Sequence, residues 1–173
     1  MSVDLLELLN EFAYWYRKLA EKRILPRALS GINAQGEQFL IRFDGVTLDH
    51  HERHKLIHTI LKEEQSVCYA YGGVVNEPKE NEAQSAAQLR LLAATHAYFV
   101  MSAWEVEFRP SFRFEQTELW EGDNPEEIPS AWFLTDAIEV SKEEAARYKA
   151  IWWEMREQAL VMQRPQGEVF RKD

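Results

Sequence analysis

Apolar residues recur at helical spacing through "DLLELLNEFAYWYRKLAEKR". With 100° per residue, Leu5, Leu8, Leu9, Phe12, Trp15, Tyr16 and Leu19 fall within about 120° of arc, which is one buried face. Asp4 and Glu7 have the spacing of a capping box, the basic residues gather near the far end, and Pro26 prevents continuation. The pattern predicts a helix with one face against the rest of the molecule.

Period-two alternation takes over in other stretches. "GEQFLIRFDGV" ends in the turn pair Asp44-Gly45, "SVCYAYGGVV" is β-rich, and "AYFVMSAWEVEFR" alternates Trp104, Val106 and Phe108 with Glu105, Glu107 and Arg109. After Pro110, "SFRFEQTEL" can return beside that strand, and the scarcity of glycine between the two favours a wide or bulged connection over a tight hairpin. The intervening "NEPKENEAQSAAQLRLLAATH" is rich in Ala, Gln and Leu and reads as a polar loop with a short helix, although "LRLLAATH" also fits a strand start.

Two further helices follow from caps. Asp49 with Glu52 opens "DHHERHKLIHTILKEEQ", and Ser141 with Glu144 opens a run in which Tyr148, Ile151, Trp152, Met155 and Ala159 recur until "QRPQG" stops it. The resulting order, α, β, α, β, β, β, α, predicts a single α+β domain spanning residues 1–173, with 165–173 as a flexible tail. Its mostly antiparallel sheet packs against N-terminal, central and C-terminal helices. A chain of 173 residues buries roughly 70% of its unfolded surface, so the core is sizeable.

Composition narrows the function classes. No apolar run approaches the eighteen or so residues of a membrane helix, and the acidic start "MSVDLLELLNEF" lacks the basic region of a signal peptide. One cysteine, Cys68, cannot form an internal disulfide or a thiolate zinc site, which fits a reducing, cytoplasmic setting. The net charge of −9 is unevenly spread: residues 115–144 hold ten acids against one base, Lys142. Without clustered Lys and Arg to neutralise phosphates, direct nucleic-acid binding is disfavoured.

Four of five histidines crowd into "LDHHERHKLIH". On the helix wheel His50, His54, His58 and His51 share one flank, with His54 nearest the apolar face of Leu56, Ile57, Ile60 and Leu61. His50 and His58 are separated by about 12 Å of rise, so one ion can use only a pair such as His50 with His54. A third ligand must then come from His96, Asp49 or another carboxylate. The spacing is one residue short of the metalloprotease signature, and Arg53 and Lys55 would repel a cation. The candidate ligands of a divalent metal, the only cofactor the sequence raises, are thus His50, His54, His58 and His96. The plainer reading is a solvated helix flank.

Cys68 with His58 or His96 has the residue types of a nucleophile and base, but its place in an apolar strand points to burial without chemistry. Gly72-Gly73 reads as the end of that strand, a bulge or a close backbone approach. Trp15, Trp104 and Trp152 fall on inward positions, whereas Trp120, Trp132 and Trp153 accompany the acidic block. The leading expectation is a protein-binding module that meets a basic partner through Glu118, Trp120, Glu121, Asp123, Glu126, Glu127 and Trp132. In one variant the acids imitate nucleic-acid phosphates. The alternative is a metal-dependent hydrolase built on the histidine helix. The sequence does not decide between enzyme and binding module.

Overall fold

The computed structural model describes residues 4–22, 26–45, 47–76, 86–95, 99–107, 113–122 and 139–163. The helices are α1 (Leu5–Glu21), α2 (His50–Glu63) and α3 (Lys142–Gln158); the strands are β1 (Ala28–Asn33), β2 (Glu37–Arg42), β3 (Ser66–Asn76), β4 (Ala86–Ala94), β5 (Phe99–Glu107), β6 (Arg113–Gly122) and β7 (Leu160–Gln163). The strands form one sheet in the order β6-β5-β4-β3-β1-β2-β7, with every neighbouring pair antiparallel. The α+β class, with helices at the N-terminus, centre and C-terminus, is the one the sequence predicts.

Among the described residues, helices pack on both faces of the sheet. The stripe of Leu5, Leu8, Leu9, Phe12 and Tyr16 on α1 packs with Ala28, Ile32, Cys68, Ala70, Leu91, Ala93 and Val100. Leu56, Ile57 and Ile60 of α2, with Tyr148 and Trp152 of α3, pack with Leu29, Phe39, Ile41, Tyr69, Tyr71, Leu92 and Ala94. Each such Leu, Ile or Phe contributes about 1.5–3 kcal/mol by leaving water.

Three strands depart from the sequence expectation for physical reasons. The helix expected between the second and third predicted strands is β4: Leu91 and Ala93 bury on the α1 face while Leu92 and Ala94 bury on the other. Two-sided burial erases the alternation that marks a half-wet strand. β1, which the pattern did not separate, is buried at all six positions for the same reason. The last helix stops at Gln158, and "LVMQ" pairs with β2 as β7 instead of continuing it.

Local chemistry fixes the connections. Asn33 Oδ1 accepts from the backbone N–H of Gln35 (3.1 Å) and of Glu37 (2.9 Å), and Gly36, at φ 82°, closes the β1–β2 turn. Phe39 lies across Gly31, its cross-strand partner; a Cβ there would sit 2.1 Å from the ring. The phenol of Tyr16 reaches the carbonyl oxygens of Pro26 and of Gly72 (3.0 Å to Gly72), tying α1 to the entry of β1 and the middle of β3.

The two helices on the other face are laced by ion pairs. Arg147 Nη2 meets Glu52 Oε2 at 2.5 Å, Lys149 meets Glu63 at 3.5 Å, and Lys55 meets Glu144. The Glu64 carboxylate accepts from Trp152 Nε1 (3.1 Å) and Arg156 Nε (2.8 Å). Glu144 also completes the capping box with Ser141, so one carboxylate serves both the start of α3 and its contact with α2.

Candidate functional site

α2 begins as its sequence dictates. The Asp49 carboxylate accepts from the Glu52 backbone N–H at 2.8 Å, which satisfies a first-turn donor and holds the Asp49 carboxyl below its usual range. From that start His50 and His51 are exposed, His58 is half-buried, and His54 is buried at 8% exposure. His54 is therefore the member of the cluster turned toward the sheet, as its place beside the apolar face predicts.

The His50 ring lies over it, with centroids 4.2 Å apart and planes tilted by 46°. Beneath it is Tyr71 of β3, whose ring stands edge-on at 6.3 Å. Neither His54 Nε2 nor Tyr71 Oη has a hydrogen-bond partner, although both atoms are buried, and Arg53 Nε shares that condition. An unpaired buried polar atom costs about 1–3 kcal/mol, so two of them on the contacting rings of His54 and Tyr71 mark an unusual place.

Burial and charge act together on the imidazoles. Burial, then the neighbouring His50, Arg53 and Arg27, push the His54 pKa down to about 4. Burial and Arg53 lower His50 as well. Both rings are thus neutral near pH 7. Arg27 arrives from the segment before β1 because Gly73 lets it: a Cβ on Gly73 would lie 2.6 Å from Arg27 Cγ and 3.3 Å from its Cα. The two glycines do not end β3, which continues to Asn76; the register irregularity falls between Val74 and Asn76. Gly73 serves the close approach.

Metal ligation gains little. The pair His50 and His54 comes together, but His58 is a further turn along and His96 lies outside the described residues. Among the described residues no three His, Cys, Asp or Glu side chains are grouped to hold an ion. Cys68 is fully buried in the α1 face, so the sheet separates it from His58 on α2.

The acidic set divides. Glu118, Trp120 and Glu121 belong to β6, with backbone partners Ala103, Met101 and Val100 on β5. Asp123, Glu126, Glu127 and Trp132 lie outside the described residues. Of the α3 pair, Trp152 is core and Trp153 is 58% exposed. A cleft of about 890 Å³, which the sequence did not signal, is lined by Trp15 and Leu19 of α1, Ile151 and Met155 of α3, and the Arg42–Asp44 ion pair (2.5 Å), beyond the part of β2 that pairs with β7.

Comparison with family models, with curated proteins and with solved structures gives no match to this chain.

Proposed function

We propose that this chain is a cytoplasmic protein-binding module that receives a basic partner along β6 and the acidic segment that follows it. The observation that carries this reading is the position of β6: it is the last strand of the sheet, no described strand pairs with its outer edge, and it carries Glu115, Glu118, Trp120 and Glu121. An edge that no described strand occupies offers a row of backbone donors and acceptors to an extended segment, and the carboxylates in its sequence favour a basic one and steer its approach. The charge imbalance of residues 115–144 extends the same attraction beyond the strand. The single, buried cysteine accords with a reducing compartment, and no helix among the described residues is long and apolar enough to cross a membrane.

The test uses the full chain, immobilised, with an Arg-rich strand-forming peptide as probe and a cell lysate as the source of partners. Peptide binding and capture should weaken with salt and disappear on combined Trp120→Ala, Glu118→Lys and Glu121→Lys substitution. Retention in that folded variant removes β6 from consideration. If a captured protein also binds DNA, competition between DNA and this chain supports phosphate mimicry by the acids, while simultaneous binding rules it out.

A metal-dependent hydrolase is the second reading, favoured by the paired rings of His50 and His54 at helical i, i+4 spacing. Its third ligand has to come from beyond the described residues. Elemental analysis of tag-free protein decides it: near-stoichiometric zinc, manganese or iron that vanishes in His54→Ala supports the reading, and metal-free protein eliminates it.

A further inference from the structure

β7 covers only part of the β2 edge. Their pairing ends with Leu40 opposite Leu160, and the residues just before Leu160, Ala159 and Gln158, cap and end α3, so no described strand lies beside Arg42. The direction of the Arg42 backbone follows from its neighbour. Phe43 donates its N–H to the Arg27 carbonyl oxygen at 2.8 Å, toward β1, and successive residues of an antiparallel strand turn their N–H and C=O to opposite sides, so Arg42 turns both groups away from β1. Arg42 also lines the cleft of about 890 Å³. That cleft spans the sheet edge: among its lining residues Trp15 and Leu40 pack with the core on the α1 side, and Leu48, Ile151, Met155 and Ala159 with the core on the other. Its charged residues are Arg42, Asp44 and Glu154; the first two pair at 2.5 Å, which leaves the carboxylate of Glu154, an exposed residue, as the excess charge.

We propose that this cleft receives a short extended peptide of apolar and basic residues, which pairs with the Arg42 backbone as an added strand in line with β7. The Arg42 N–H and C=O supply one pair of strand hydrogen bonds. Adjacent side chains of a strand point to opposite faces, so two consecutive apolar residues of the peptide meet the lining of both cores, Trp15 and Leu19 on one side and Ile151 and Met155 on the other. A lysine or arginine beside them answers Glu154, and an acidic residue there is repelled. Size sets the length of the guest. A cleft of about 890 Å³ falls in the range of about 300–1,000 Å³ that holds small ligands, so it takes a few residues rather than a folded domain. β2 lies five strand positions from β6, about 24 Å, so this site is separate from the edge proposed for the basic partner.

The experiment follows the backbone amides of the ¹⁵N-labelled full chain by NMR while blocked peptides are added: acetyl-Ser-Val-Leu-Lys-Ser-amide, the same peptide with glutamate for lysine, and the lysine peptide with its valine and leucine nitrogens methylated. The expected result is a saturable change of the Arg42 amide signal, with slower hydrogen exchange, on adding the lysine peptide. Methylation removes the donors of the added strand and should weaken binding about fivefold. The glutamate peptide should bind about threefold more weakly at low salt, with the gap closing at high salt and the preference reversed in Glu154→Lys. Glu154 is exposed, so that substitution leaves the fold intact. The proposal is overturned if the lysine peptide gives no saturable change up to about 10 mM, if the methylated peptide binds equally well, or if Glu154→Lys leaves the charge preference as it was. Changes confined to the amides of Glu118 and Trp120 would also overturn it and assign the peptide to the β6 edge.

Discussion

The two faces of the sheet are closed in different ways. On one, α1 lays Leu5, Leu8, Leu9, Phe12 and Tyr16 over small and aliphatic strand residues, and buried polar groups are paired, the Tyr16 phenol with two backbone carbonyls and the Ser30 hydroxyl with Gln38. On the other, α2 and α3 pack through Leu56, Ile57, Ile60, Tyr148 and Trp152, with ion pairs bridging them at the surface, and His54, Tyr71 and Arg53 keep unpaired buried atoms. Dry packing with satisfied polar groups is what stability alone selects. A face that leaves several polar atoms unsatisfied is carrying a cost, and such costs collect where a protein binds something. Away from the sheet edge, the difference directs attention to the α2 side for ligands and leaves the α1 side as scaffold.

Two tyrosines sharpen the contrast most strongly. Burial, above all, raises the Tyr16 pKa well beyond its ordinary 10, which keeps the phenol neutral and able to donate. Tyr16→Phe strands the carbonyls of Pro26 and Gly72 and should cost about 1–3 kcal/mol in urea unfolding. Tyr71→Phe deletes a hydroxyl with no partner and should be neutral, or stabilising by up to about 1 kcal/mol. Equal losses from the two changes would show that Tyr71 is as well satisfied as Tyr16, and the distinction between the faces would fail.

Much of this was readable along the chain, and the part that was not has a common cause. The three helices could be read because a single stripe or cap marks each: Asp4 before α1, Asp49 before α2, Ser141 and Glu144 before α3. β2 announces itself through alternation, whereas β1 and β4 are buried on both faces and resemble generic apolar sequence. At the site, His50 and His54 are visible as neighbours on a helix wheel. Tyr71 and Arg27 reach them only through the strand order, β3 beside β1, which no local pattern encodes. Gly73 was the one local signal, because a strand glycine can mean a close approach as well as a kink.

His54 tests the comparison by pH. Its folded pKa is about 4 against about 6.5 in the unfolded chain, so the unfolded state takes up a proton first as pH falls. The stability this group contributes is complete above pH 6.5, declines between 6.5 and 4, and is constant below. The groups facing it are His50, His51 and Arg53 on α2, Arg27 before β1, and Tyr71 on β3; none of the named influences is an acid that would offset the trend. Allowing for relaxation, about 1–2 kcal/mol should be lost from pH 7 to pH 4.5 by this route. The wild type minus His54→Leu difference in unfolding free energy isolates it from the carboxylates, since Asp49 and Glu144 titrate below their usual range. A pH-independent difference would mean that His54 is solvated and the second face is no less conventional than the first.

The smallest effect concerns the ion pairs that join α2 to α3. Arg147 and Glu52 meet at 2.5 Å, but their side chains are 57% and 35% exposed, so water and salt screen them. A double-mutant cycle of Arg147→Ala and Glu52→Ala should give a coupling of about 0.2–1 kcal/mol at low ionic strength, fading toward zero near 1 M sodium chloride. The α2–α3 layer would then owe its attachment to Leu56, Ile57, Ile60, Tyr148 and Trp152, as α1 owes its own to Leu8 and Phe12. Coupling well above 1 kcal/mol that survives high salt would instead make the charges the principal tie. In that case the two faces would differ in how they are held as well as in what they leave unpaired.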